Sequence, residues 1–456
     1  MSTLSNRLNL EGSEETKAFP NIPSLGTLFS DQSQSAEISR IKIEVNNQLI
    51  NSLGSQVYEG NIENKVLERK TFEAISRAIL SSNITLSAVQ RAALMQEIVD
   101  EILGLGPLQP LLRDGSVNEI MVNRYDQIYI EKSGKLQLSK YTFSSEEHLR
   151  RTIERIVSRI GRRIDESSPL VDARLADGSR VNAAIPPVAL DGSTVVIRKF
   201  SKDPYTSNDL IATGTFTKEA MEFLGACVKG KLNVLISGGT GSGKTTTLNV
   251  LSSYIPSTER IITIEDAAEL QLNQPHIVRL ESKPANVEGK GSISIRDLVK
   301  NTLRMRPDRI VVGEVRDAAA LDMLQAMNTG HDGSLTTVHA NSAKEAIFRL
   351  ETLVLMAGMD LPVLVVRQQI GQAIDLIVQQ SRLRNGARHI IQISEVCGVD
   401  NGEVVTNDIF KFEYGAESEI SNALGRLRPT GYVPRFLKKL SERGVDIDAS
   451  IFTQQN

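Results

Sequence analysis

Residues 237–249 read SGGTGSGKTTTLN. Gly238, Gly239, Gly241 and Gly243 crowd around a single lysine and a run of hydroxyls. Glycine gives up more conformational freedom on folding than any other residue, so a loop this rich in it needs a ligand to offset the cost of ordering. The spacing from Gly238 to Thr245 fits G-x-x-x-x-G-K-[ST], between the apolar run LNVLIS (232–237) and a helical run. In that context the backbone N–H groups of Gly239, Thr240, Gly241, Ser242, Gly243, Lys244, Thr245 and Thr246 can converge on an anion, helped by the positive end of the helix that follows. Lys244 is placed to neutralise β- and γ-phosphate charge, and Thr245 to offer a hydroxyl to Mg²⁺. The loop is read as a nucleotide phosphate site.

The rhythm around the loop is strand, helix, strand. RIITIE (260–265) and RIVVGE (309–314) repeat the form of LNVLIS, and SLTTVHA (334–340) is a weaker version. Short continuous apolar runs suit strands buried on both faces of a parallel sheet. Between them Ser294 with Asp297 resembles a capping box ahead of Ile295, Leu298, Val299 and Leu303, and Asp317 and Gly330 bracket a second helix. Asn-Gly pairs at 385–386 and 401–402 separate alternating runs that end in IFKFEY, so antiparallel strands are expected to close the domain. The expected class is α/β, with a mainly parallel sheet covered by helices on both faces.

Ligands gather at the C-terminal edge of such a sheet. Glu314 stands there as a candidate to orient water and help hold the metal, although Gly313 occupies the position where an aspartate more commonly enters the Mg²⁺ shell. Glu265 and Asp266, ending the neighbouring strand, are candidates for catalysis and metal binding, with helix capping as the plainer reading. His339 ends a third strand on the same edge and is a candidate contact to the γ-phosphate; His331 lies just upstream.

Upstream, residues 1–35 are polar and are expected to form a disordered arm. Residues 36–112 carry helical spacing at Ile75, Ile79, Val89, Ala93, Leu94, Ile98 and Ile102, and are read as a helical segment. Residues 113–203 are expected to be a small α/β domain, with a turn at Ser133-Gly134, one helix face at Leu149, Ile153, Ile156, Val157 and Ile160, and turns at Asp177-Gly178 and Asp191-Gly192. Residues 204–216 are polar and turn-rich and read as a linker to the large domain, 217–456.

The chain has 456 residues, 52 basic against 55 acidic, a net charge of −3, no tryptophan and 4% aromatic residues. That leaves no bulk basic footprint and few stacking platforms, which weighs against a nucleic-acid translocase. No stretch approaches the roughly 18 apolar residues of a membrane span, and MSTLSNRLNL lacks the pattern of a secretory signal, so a cytoplasmic location is expected. Cys227 and Cys397 stand far apart and form neither a disulfide framework nor a CxxC site.

GGTGSGKTT, TIEDAAELQL, RMRPDRIVVGEVRD and TGHDGSLTTVHANS, in this order, resemble the Walker A, Asp box, Walker B and His box of the type II/IV secretion ATPase superfamily. GLGPLQPLL, RIDESSPLVDARLADGSRVNAAIPP and the long segment NTLRMRPDRIVVGEVRDAAALDMLQAMNTGHDGSLTTVHANS resemble more narrowly the CpaF (TadA) ATPases of Tad-type pili, over roughly residues 60–440. The resemblance implies a RecA-like P-loop ATPase core beside a smaller PAS-like domain. It also implies ATP and Mg²⁺ as ligands, a homohexamer at the cytoplasmic face of the inner membrane, and membrane platform proteins as partners. Type IV secretion of proteins or DNA–protein complexes stays open as an alternative. The four-cysteine zinc insert of the type II branch is missing, so no zinc is expected. Related motors set arginines against bound nucleotide, which makes Arg180 and Arg198 candidates, with solvated strand charges as the plainer reading; Arg174 and Arg316 are further sources of positive charge.

Overall fold

The structure is a computed structural model that describes residues 38, 40–45, 47–48, 64–82, 86–132, 134–158, 162–200, 204–285, 290–383, 385–414 and 425–453. The expected arm at 1–35, Ser133 and Ile160 lie outside them. The chain divides into two compact units, Met1–Phe200 and Ser201–Asn456.

The first unit contains helical residues at 40–45 and the helices α1 (Asn64–Ser81), α2 (Ala88–Ile102) and α3 (Leu108–Arg113). Ile75, Ile79, Ala93, Leu94 and Ile98 bury together with Ile38, Ile41 and Val45, as their helical spacing requires. Ser87 and Gln90 close a capping box at the start of α2. Strands β1 (Val117–Arg124), β2 (Gln127–Lys132) and β3 (Lys135–Leu138) precede helix α4 (Glu146–Ser158), and β4 (Leu170–Arg174), β5 (Arg180–Ala184) and β6 (Thr194–Arg198) follow it. They form one antiparallel sheet in the order β3-β2-β1-β6-β5-β4. Leu149, Ile153, Ile156 and Val157 of α4 share a core with Ile120, Val122, Ile128, Val181, Val195 and Ile197. The register sets Arg174 opposite Arg180, Arg180 opposite Arg198, and Arg198 opposite Glu119. Three arginines from separate stretches of sequence therefore lie in one row across adjacent strands.

Residues 204–216, expected as a linker, are folded into the second unit instead. Ser207–Ala212 form helix α5, capped by a Thr206–Asp209 box, and Leu210 and Phe216 are buried in the core shared with α6 (Lys218–Lys229). The polar surface of this stretch hides the apolar anchors that dock it.

The remaining elements of the second unit are β7 (Val234–Gly238), α7 (Lys244–Ser252), β8 (Ile261–Glu265), β9 (Ile277–Glu281), α8 (Ile295–Thr302), β10 (Arg309–Val312), α9 (Ala319–Asn328), β11 (Leu335–Val338), α10 (Ala343–Leu355), α11 (Val363–Ala373), β12 (Leu376–Arg382), β13 (Arg388–Asp400), β14 (Glu403–Tyr414), β15 (Gly425–Pro429) and α12 (Leu437–Glu442). Nine strands form one sheet in the order β15-β14-β13-β12-β7-β11-β10-β8-β9. The six from β12 to β9 run parallel, and β13, β14 and β15 extend the sheet antiparallel from β12. Strand β9 is an addition to the sequence reading. Its partly exposed pattern at the sheet edge lacks the continuous apolar run of β7, β8 and β10. Two hydrophobic clusters, one with α6 and the other with α9 and α10, contain residues of the central strands, so the sheet is covered on both faces.

The parallel strands end together, which sets the chain segments after β7, β8, β10 and β11 along one edge. Arg309, opening β10, is fully buried; it pairs with Glu259, and its guanidinium also donates to the carbonyl oxygens of Gly333 at 3.3 Å and Lys229 at 3.5 Å. Breaking a buried pair by removing one partner typically costs about 3–5 kcal/mol. Arg309→Met is therefore expected to lower the unfolding free energy by that amount in urea denaturation, and a midpoint equal to wild type would contradict the role given to this ion pair.

Candidate functional site

The loop between β7 and α7 takes the shape its glycines allow. Gly241 and Gly243 have φ of +70° and +101°, a region other residues rarely enter. Nothing lies within 4 Å of where a side chain on Gly239 would begin, so the backbone there is open to a ligand. The nine-residue α7 starts at Lys244, which directs its N-terminal amides into the loop. These features fit a bound phosphate chain.

Lys244 is largely buried, and its ammonium donates to the carbonyl oxygens of Gly238 at 2.9 Å and Gly239 at 3.0 Å. It also stands 3.3 Å from His339 Nδ1. His339 Nε2 in turn lies 3.1 Å from Glu314 Oε1, and Arg316 Nη2 donates to Glu314 Oε2 at 2.8 Å. Arg316 Nη1 reaches Asp266 at 3.3 Å. The ends of β10 and β11 thus join Lys244, His339, Glu314, Arg316 and Asp266 into one polar chain. The geometry suits the His339 tautomer that accepts from Lys244 at Nδ1 and donates to Glu314 from Nε2.

The electrostatics agree with that proton placement. Burial foremost, then the charge of Lys244, pushes the His339 imidazole below its ordinary range, against the pull of Glu314. Burial would raise the Glu314 carboxyl, but the hydrogen bond and charge of Arg316, with His339 and Lys244, outweigh it and hold Glu314 below the usual carboxylate range. Burial lowers Lys244 as well, opposed by Glu314. At neutral pH the chain reads ammonium, neutral imidazole, carboxylate.

A group whose folded pKa lies below its unfolded value binds fewer protons when folded. For His339 the stability of the neutral form is complete above about 6.5 and declines as pH falls toward the lower folded value. His339→Asn is therefore expected to lack one acid-side component of the pH–stability curve that wild type shows. Parallel curves for the two proteins between pH 7 and 5 would contradict the assignment.

Glu265 is placed differently from the other carboxylates. Its Oε1 accepts from the backbone N–H of Glu269 at 2.9 Å and of Leu270 at 3.1 Å, and burial pushes its carboxyl up despite those bonds. A side chain on Gly313 would start 2.9 Å from Glu265 Cγ. This explains the missing aspartate: Glu265, reaching from the end of β8, fills the space beside Gly313. Among the described residues there is no group of three or more His, Cys, Asp or Glu able to hold a metal ion. The residues at hand fit a Mg²⁺ held through Thr245 and the phosphates better than a protein cage. His331 lies just past the C-terminus of α9, where its ring Nδ1 stands 3.3 Å from Ala326 O. Arg180 and Arg198 belong to the first unit.

The sequence reading missed the other flank of the loop. Arg388 Nε donates to Gly241 O at 3.0 Å, and Gln380 Oε1 accepts from the Thr247 hydroxyl at 2.9 Å. Both residues lie against Gly243, with Gln380 Nε2 at 3.0 Å and Arg388 Cδ at 3.2 Å from where its side chain would begin. The available signal was the basic hairpin RLRNGARH around the Asn-Gly pair, which register-pairs Arg382 with Arg388 beside the loop strand.

The sequence profile of the family described as "Type II/IV secretion system protein" matches residues 101–418. A putative conjugal transfer protein of Mycobacterium tuberculosis is 37% identical over 300 residues, which span 64% of this chain and 85% of that one. The conjugal transfer protein TrbB of Rhizobium radiobacter is 32% identical over 308 residues, 66% of this chain and 90% of its own length. Among solved structures, the VirB11 ATPase of the Brucella suis type IV secretion system, in complex with sulphate, shows 29% identity and a TM-score of 0.36, covering 63% of this chain and 95% of that one. With its phosphate-loop geometry and a family match over most of its length, the chain belongs to the type II/IV secretion system protein family.

Proposed function

We propose that this chain hydrolyses ATP in a Mg²⁺-dependent reaction and works as a homohexameric motor of Tad-type pilus assembly at the cytoplasmic face of the inner membrane. The observation that carries the chemistry is the Lys244–His339–Glu314 chain set against an open glycine loop. Lys244 leaves the Gly238 and Gly239 carbonyls for the phosphates, and the ionised Glu314 polarises the attacking water. Neutral His339 relays the state of Lys244 to Glu314 through its two ring nitrogens. Thr245 would hold Mg²⁺ together with the phosphates, with Glu265, Asp266 and Glu314 as the carboxylates of the same sheet edge, and the ion would supply charge neutralisation at the transferring phosphoryl group.

Arg180 and Arg198 supply the remaining positive charge from a neighbouring subunit. Arg198→Ala or Arg180→Ala is expected to cut turnover toward the roughly 10³-fold lower end of arginine-finger effects, with a smaller loss of ATP binding. Hexamers mixed from Lys244→Ala and Arg198→Ala chains should regain part of the activity, because some intact loops then face intact arginines. No recovery in verified mixed rings would overturn action across the subunit boundary.

The pilus assignment rests on the resemblance of GLGPLQPLL and the 301–342 segment to Tad motors. A second reading, type IV secretion, is favoured by the conjugal-transfer relatives. No helix among the described residues is long and apolar enough to cross a membrane, so attachment would run through membrane platform proteins. A gene deletion complemented by wild type and by Lys244→Ala separates the readings. Loss of surface filaments that only wild type restores supports the pilus motor, whereas intact filaments with lost protein or DNA export support secretion.

A further inference from the structure

The glycine loop has two flanks, and the polar chain described above uses only one. In the sheet, β7 lies between β11 and β12. On the β11 side, with β10 beyond it, stand His339 and Glu314, the groups suited to the phosphoryl that is transferred. On the β12 side stand Gln380, Arg382 and Arg388. Arg382 pairs in register with Arg388 across the β12–β13 hairpin, and Gln380 pairs with Gly238 at the end of β7. Arg388 Nε holds Gly241 O at 3.0 Å, and Arg382 Nη1 lies 3.8 Å from where a side chain on Gly241 would begin. Two exposed arginines thus border Gly241 on the side of β7 opposite to β11 and β10.

We infer that Arg388, assisted by Arg382, is a nucleotide-binding residue of the same chain that contacts the non-transferred phosphates, and so binds nucleoside di- and triphosphates alike. The inference rests on the reading of the loop as an ATP site. Its physical basis is the position of the charge. A phosphate chain seated with its γ-end toward Lys244, His339 and Glu314 must leave the loop at the opposite flank, where its α- and β-oxygens need partners. A guanidinium offers planar, paired donors to such oxygens, and one already hydrogen-bonded to the loop carbonyl is ordered in place before the ligand arrives. Gln380 supports this flank from beneath by holding Thr247 of α7.

The test is titration of the full-length protein with fluorescently labelled ADP, and with a non-hydrolysable ATP analogue, over a series of salt concentrations. Wild type, Arg388→Lys and Arg388→Gln are compared. A hydrogen bond to a charged group is worth roughly 1.5–3 kcal/mol, so Arg388→Gln should weaken both ligands about 10- to 100-fold and by the same factor. Its affinity should also depend less steeply on salt than wild type, and Arg388→Lys should recover part of both properties. Unchanged ADP affinity and salt slope in folded Arg388→Gln would overturn the inference and leave Arg388 as a clamp on the loop. A loss confined to the ATP analogue would overturn it too, by placing the arginine at the γ-phosphate. Wild type that binds neither ligand would instead remove the ATP-site reading on which the inference stands.

Discussion

Lys244→Ala is expected to abolish ATP hydrolysis and to weaken ATP binding by roughly 10- to 100-fold. The lysine is the ammonium held inside the loop, bonded to the Gly238 and Gly239 carbonyls and next to His339. Its removal takes away the charge that meets the β- and γ-phosphates and also the donor that orders His339 at Nδ1. Binding should fall less than turnover, because the loop amides and the helix end remain. Phosphate release and nucleotide titration on the same preparation read both effects. Turnover near wild type in Lys244→Ala would remove the phosphate-loop assignment.

Glu314→Gln separates binding from chemistry. Glutamine keeps the length of the side chain and one oxygen to accept from Arg316 Nη2, while its amide nitrogen takes the place of the oxygen that faces His339 Nε2. What is lost is the negative charge that Arg316, His339 and Lys244 hold in the ionised form. General acid–base steps are typically worth about 10²–10⁴-fold, and kcat should drop within that range while ATP affinity stays near wild type. An equal loss of affinity and rate would assign Glu314 to the metal shell or to the scaffold instead.

Much of the site was legible because its parts are local in sequence. The phosphate loop is one contiguous motif, and the short apolar runs before Glu265, Glu314 and His339 identify these residues as strand ends before any contact is known. That Lys244, His339 and Glu314 then touch follows from strand order, since β7, β11 and β10 are neighbours. The order itself is not written in the sequence. Arg388 and Gln380 stayed hidden for the same reason: they come from a hairpin more than a hundred residues away, brought to the loop only because β12 pairs with β7. Gly313 looked like a departure from a motif until Glu265 was found filling the adjacent space, a relation that depends on volume rather than residue pattern. The stretch at 204–216 read as a linker because its docking rests on Leu210, Ile211 and Phe216, set among polar and turn-forming neighbours. The three arginines of the first unit were each visible, but their alignment across β4, β5 and β6 is a matter of register.

The central claim is that ATP is bound at the Lys244 loop and cleaved there with the help of Glu314. Its most direct test is a single-turnover experiment with γ-labelled ATP and Mg²⁺, enzyme in excess, with wild type, Glu314→Gln and Lys244→Ala quenched over the same time course. The account predicts that wild type converts its bound ATP to ADP and phosphate, that Glu314→Gln retains bound and uncleaved ATP, and that Lys244→Ala retains little of either. Cleavage by Glu314→Gln at the wild-type rate, or capture of ATP by Lys244→Ala as tight as that of wild type, would contradict it.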